Sequence, residues 1–101
     1  MCGDLNSQTD SAVYQFLADG HFSETHPELE GIDWSILPDT KRMTHGLSLV
    51  SAMTSNGQDE PLFTNYTGTF KGTLDYIWFA PSEFRVEALL SLPSEEELLK
   101  R

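Results

Sequence analysis

The run Thr73-Leu74-Asp75-Tyr76-Ile77-Trp78-Phe79 constrains this chain more than any other stretch. Its aromatic and β-branched residues specify a strand. Apolar side chains occur at both odd and even positions, so cover is expected on both faces of that strand. One carboxylate, Asp75, interrupts the run. Burying it bare would cost roughly several kcal/mol, so it needs hydrogen bonds or a compensating charge. A chain of 101 residues has room for one small domain and a modest core. Tyr76, Trp78, Phe79 and Leu89 or Leu90 are therefore expected to leave an apolar patch in want of a partner, and the chain to be prone to association.

Weaker signals surround this run. Asp10-Ser11 reads as a helix entrance and Gly20 as its left-handed stop, with Val13, Phe16 and Leu17 on the apolar face and Ala12 and Tyr14 flanking. Residues 20–44 mix Pro27, Gly31, Pro38 and many acids with isolated Phe22, Leu29, Trp34 and Leu37, which predicts a long surface loop pinned by its apolar residues. Leu47 to Val50 is a short extended segment, and Asn56-Gly57 with Pro61 marks a turn. Leu62 to Thr67 reads as a strand and Phe84 to Leu90 as a weaker one. Ser94-Glu95-Glu96-Glu97 fits a helix capping box. Met1-Cys2-Gly3 has the character of the end of a buried strand, and both termini read as cut through a larger fold.

Charge narrows the chemistry. A formal net charge of −10 argues against non-specific attraction to nucleic acid, which needs clustered Lys and Arg. In a metal-dependent nuclease the positive charge at the scissile phosphate comes instead from a cation held by carboxylates. The single cysteine excludes an internal disulfide and a thiolate cage, and points to a reducing compartment. No apolar run is long enough to span a membrane, and the first residues lack the basic and apolar regions of a signal peptide. Three scattered histidines, His21, His26 and His45, have no metal-ligand spacing.

Two clusters carry candidate chemistry. Gly3-Asp4-Leu5-Asn6 at a strand end sets a carboxylate and a carboxamide two residues apart. Asp could activate a water there while Asn donates to a phosphate oxygen. The same four residues also suit an ordinary turn. Asp75 could cap loop amides or face a metal at the sheet edge.

Taken together, Gly3-Asp4-Leu5-Asn6-Ser7, the following Asp10-Ser11 helix, Thr44-His45-Gly46, Thr64-Asn65-Tyr66-Thr67 and Lys71-Gly72-Thr73-Leu74-Asp75-Tyr76-Ile77 resemble one family. It is the exonuclease branch of the endonuclease/exonuclease/phosphatase superfamily, which includes the carbon-catabolite-repressor-type deadenylases and the 2',5'-phosphodiesterases. The resemblance covers nearly the whole chain and is loosest over residues 23–43; Thr9 stands where the family often has Pro. It implies an α/β fold, part of a four-layer α/β sandwich like that of pancreatic deoxyribonuclease, incomplete in this chain. Residues 1–101 would form the C-terminal portion of one catalytic domain.

The resemblance also implies roles. Asp4 would orient or deprotonate the attacking water, Asn6 would hold the phosphate in the transition state, and Asp75 would support the metal end of the site. Asp4 and Asp75 would share the metal, Mg²⁺. Asn65 and Phe70 would grip the terminal nucleotide, Phe70 by stacking. The expected reaction is trimming of an RNA 3' end, poly(A) or 2',5'-oligoadenylate, with release of 5'-nucleotides, inside the cell in cytoplasm or mitochondrion. The family's metal-binding Glu and closing Asp-His pair have no counterpart in the chain, so an inactive truncated product or binding remnant is the rival expectation.

Overall fold

Tyr76 and Trp78 are 4% and 2% exposed, whereas Ile77 between them is 54% exposed. That alternation is the signature of a strand with one covered face. A computed structural model describes residues 1–33 and 43–100 and places this strand, β5 (Asp75–Phe79), at the centre of a three-stranded antiparallel sheet. β1 (Cys2–Asp4) pairs on one side and β2 (Val50–Ser51) on the other. A separate two-stranded hairpin joins β3 (Asn65–Tyr66) to β4 (Lys71–Gly72). Helix α1 (Ala12–Asp19) covers the sheet, and α2 (Glu95–Leu99) lies near the end of the described chain.

The cover on β5 is aromatic. Tyr14 of α1 meets Tyr76 edge-on at 5.5 Å and Trp78 at 5.2 Å between ring centroids. Such T-shaped pairs contribute about 0.5–1.5 kcal/mol each beyond the area they bury. Tyr14 is thus the inward residue of α1, and Val13, expected on the buried face, is 46% exposed. With only eight residues the helix turns a narrow stripe to the sheet, and the ring that reaches the strand aromatics sets its rotation. Tyr76 and Trp78 therefore do not join an exposed patch, contrary to the sequence expectation; Leu90, at 87% exposed, remains open.

Both helix entrances follow local sequence. Ser11 Oγ accepts from the Tyr14 amide, and Gly20 ends α1 at φ 81° with its N–H on the Phe16 carbonyl. A Cβ on Gly20 would also lie 2.9 Å from the His45 carbonyl oxygen, so the position demands glycine twice over. Ser94 and Glu97 form the reciprocal capping box on α2.

The loop after α1 is pinned by polar groups. Glu28 accepts from the Ala12 amide at 2.5 Å, Gln15 accepts from the Ser23 amide, and a 3₁₀ turn forms at Pro27–Leu29. Trp34, Leu37 and Pro38 lie outside the described residues. Residues 62–64 and 84–90 are not strands: of the first segment only Asn65–Tyr66 is strand, flanked by the Thr64 and Thr67 amides bonded across the hairpin, and the second has no ladder partner among the described residues. Likewise Leu47, 65% exposed, precedes a strand that begins at Val50. β-rich composition there found no neighbour to pair with. β1 is exposed rather than buried.

The β5 alternation makes a direct prediction. Trp78→Ala should lower unfolding free energy by about 3–5 kcal/mol, whereas Ile77→Ala should cost under about 1 kcal/mol. Urea denaturation of the two variants compares them, and equal losses would contradict the one-sided cover.

Candidate active site

The β1–β5 ladder sets the geometry. Met1 and Trp78 exchange both backbone bonds, at 2.9 and 2.7 Å, and the Leu5 amide donates to the Leu74 carbonyl at 2.9 Å. Cross-strand pairs alternate between bonded and non-bonded types. Counting inward from Met1–Trp78 through Cys2–Ile77 and Gly3–Tyr76 makes Asp4–Asp75 a non-bonded pair. In such pairs the Cα atoms approach to about 4.5 Å and the side chains project to the same face. Two exposed carboxylates thus stand side by side on the open face of the sheet.

Each carboxylate is held by one oxygen. Asp4 Oδ1 accepts from the Asn6 amide at 2.8 Å, and Asp75 Oδ2 accepts from the Thr64 hydroxyl at 2.7 Å. Asn6 itself sits at φ 49°, a left-handed conformation that Asn tolerates better than most residues. Beneath it the Tyr76 hydroxyl lies 2.7 Å from the Ser7 carbonyl and 3.0 Å from that of Thr73, and donates to this pair of oxygens. The buried aromatic thereby fixes the turn that follows Asp4. Burial, and then the negative charge of Glu60, push both Tyr14 and Tyr76 up from 10.0 to about 12. The Tyr14 hydroxyl donates to Glu60 at 3.1 Å.

Phe70 reaches the same corner from the hairpin. It lines a cleft of ≈ 380 Å³ with Asn6, Ser7, Gln8 and Leu74. Its ring lies over Gly72, where an added Cβ would come within 2.8 Å of the ring and 2.9 Å of Gln8 Oε1. Asn65 is half-buried on β3 opposite Gly72 and does not line that cleft. The structure therefore brings Asp4, Asn6 and Asp75 together, sets Phe70 beside Asn6, and leaves Asn65 one residue beyond Thr64.

Among the described residues no group of three or more His, Cys, Asp or Glu is placed to hold a metal. The donor set is two carboxylates. A hard cation such as Mg²⁺, which is often held by one or two carboxylates plus waters and substrate phosphate, fits that set.

Two of the histidines, His26 and His45, hold loop backbone. His45 Nδ1 accepts from the Leu47 amide, which leaves Nε2 protonated to donate to the Phe16 carbonyl at 2.6 Å. His26 does the same between the Glu28 amide and the Asp10 carbonyl. Sequence assigns no site role to Thr64, Tyr76 or Glu28; nothing in a lone Thr or Glu marks its partner, although Asp75 in an apolar run announces that some donor is needed.

No family model matches the chain. Curated proteins do. A protein of Aspergillus oryzae named CCR4-Not complex 3'-5'-exoribonuclease subunit Ccr4 is 45% identical over 100 residues, covering 99% of this chain and 13% of that protein. Its namesake in Coccidioides immitis is 43% identical over 101 residues, covering 100% of this chain and 13% of that protein. The one in Kluyveromyces lactis is 38% identical over 96 residues, 95% of this chain and 12% of its own length. Over nearly its whole length the chain is similar to one segment of the Ccr4 exoribonucleases. It spans about one eighth of the length of these Ccr4 relatives. No helix among the described residues is long and apolar enough to cross a membrane.

Two consequences of this geometry are measurable. Like charges directly opposite on a sheet destabilise it. Without divalent cation, Asp4→Asn should therefore raise stability by about 0.2–1 kcal/mol at pH 7 and low salt. Thermal melts in a chelator read the gain, and a loss at pH 7 would contradict it. The tyrosines set an alkaline limit. Their folded-state values lie above the unfolded value of 10.0, so their contribution is whole below pH 10 and is lost as pH rises through about 12. Melting temperature should fall across that window alongside tyrosinate absorbance, and Tyr14→Phe should make the fall shallower.

Proposed function

We propose that this segment is one wall of the active site of a Ccr4-type 3'-5' exoribonuclease, which hydrolyses phosphodiesters from the 3' end of RNA and releases 5'-nucleotides. The observation that carries the reading is the Asp4–Asp75 pair on the open face of the sheet with Asn6 at the strand end. Its relatives named as 3'-5' exoribonuclease subunits support RNA as substrate, and we take poly(A) ahead of 2',5'-oligoadenylate. Those names also support a place in a CCR4-Not complex. The lone exposed Cys2 suits a reducing compartment, and we assign the cytoplasm; nothing found favours the mitochondrion.

In this reading Asp4 and Asp75 would hold Mg²⁺. When bound, the cation supplies positive charge to the phosphoryl oxygens. Asp4 orients the attacking water and takes up its proton. Asn6, held in the left-handed turn by Asp4, turns its carboxamide N–H toward a phosphate oxygen as charge builds there. Phe70 stacks on the terminal base, a contact of about 1–3 kcal/mol that needs little sequence reading. Asn65 grips the same nucleotide from β3. The mixed α/β arrangement is compatible with part of a four-layer sandwich, residues 1–101 being the C-terminal portion of its catalytic domain. Two carboxylates are too few for catalysis alone, so the remaining acid–base groups come from other parts of that domain.

A segment exchange tests this. Purified 1–101 protein should release no AMP from oligoadenylate. A chimera carrying residues 1–100 in place of the matched segment of the A. oryzae subunit should do so in the presence of Mg²⁺. Asn6→Ala in that chimera should lower kcat by about 10²–10³-fold. Asp4→Ala and Asp75→Ala should abolish measurable turnover. An active chimera indifferent to all three substitutions would overturn the assignment.

A further inference from the structure

The Thr64 hydroxyl makes three hydrogen bonds at one point. It donates to Asp75 Oδ2 at 2.7 Å and accepts from the amides of Leu74, at 3.0 Å, and Asp75, at 3.2 Å. The Thr64 amide in turn donates to the Gly72 carbonyl at 2.9 Å, so the residue closes the β3–β4 hairpin against the first residue of β5. No other donor to an Asp75 side-chain oxygen occurs among the hydrogen bonds of the described residues.

A carboxylate on a strand has a free χ2, and an exposed one rotates over a broad range. The opposed Asp4 charge would drive Asp75 away from the pair, because like charges repel across a sheet. A hydroxyl fixed by two backbone amides opposes that swing. Its lone pairs are occupied by N–H groups, so its one proton is committed to Asp75 Oδ2. The other oxygen, Oδ1, accepts no hydrogen bond among the described residues. We infer that Thr64 is a positioning residue, which holds the Asp75 carboxylate in register with Asp4 for a divalent cation. This rests on the reading of the Asp4–Asp75 pair as a cation site. It goes beyond that reading because the residue touches neither cation nor substrate, and because it ties the hairpin bearing Asn65 and Phe70 to the carboxylate pair.

Groups that orient metal ligands typically change affinity by about 10–100-fold when removed. The test uses the full chain with Mn²⁺ as paramagnetic probe and three variants. Thr64→Val keeps the β-branched shape and removes the hydroxyl; Thr64→Ser keeps the hydroxyl; Asp75→Ala removes the ligand. Mn²⁺ should broaden the resonances of Asp4 and Asp75 in the unsubstituted chain and should not do so in Asp75→Ala. Thr64→Val should weaken Mn²⁺ binding about tenfold and accelerate amide exchange at Leu74 and Asp75, with dispersion elsewhere unchanged. Thr64→Ser should restore both to within about twofold, which a purely steric role of the threonine would not predict. Equal Mn²⁺ affinity in Thr64→Val and the unsubstituted chain would overturn the inference and leave the carboxylate pair standing. Absence of Mn²⁺ binding in the unsubstituted chain would overturn the cation site itself, and the inference with it.

Discussion

Everything at the candidate site depends on the antiparallel ladder between β1 and β5. Its register converts two acids 71 positions apart in sequence into immediate neighbours. Because the side-chain period of a strand is two, a slip of one residue would send Asp4 or Asp75 to the opposite face. The ladder is held against such slips from both ends. Met1 and Trp78 exchange two bonds at one end, and Leu5 bonds Leu74 at the other. The burial of Tyr76 and Trp78 against Tyr14 fixes which face is which.

The same aromatic layer links stability to site geometry. Tyr76 packs under the sheet, and its hydroxyl reaches the carbonyls of Ser7 and Thr73. One side chain therefore ties the turn bearing Asn6 to the approach of β5. Among the described residues the other side of the sheet has no comparable cover. Ile77 and the two carboxylates share that open face, an arrangement that stability alone would not favour. Opposed like charges persist where surrounding structure over-determines them, and such places are concentrated at functional sites.

Polar contacts rather than a second core organise the rest. The cations Lys71, Arg85 and Lys100 are each paired with a glutamate, Glu95, Glu87 and Glu96 respectively. Lys71 and the Tyr66 hydroxyl converge on Glu95, which holds α2 against the hairpin and draws the Glu95 carboxyl below its ordinary value. These pairs are exposed and contribute little each. They leave no cluster of free positive charge among the described residues.

Sequence by itself determined the elements whose rules are local. The Ser11 cap, the Gly20 stop, the Ser94–Glu97 box and the strand through Asp75 follow from side chains that bond to their own backbone or must lie flat on a sheet. The motifs also carried the resemblance to Ccr4-type exonucleases and marked Asp4, Asn6 and Asp75 as candidates. What sequence left open was set by contacts between distant residues. Residues 84–90 had strand composition and found no partner among the described residues, while Tyr14 rather than Val13 turned inward because the β5 aromatics lay there. Thr64 was one hydroxyl among many until β3 and β5 met. Local propensity fixes what a segment can be; the pairing of β1 with β5 alone decides which side chains stand together, because hydrogen-bond register is a property of two strands and not of one.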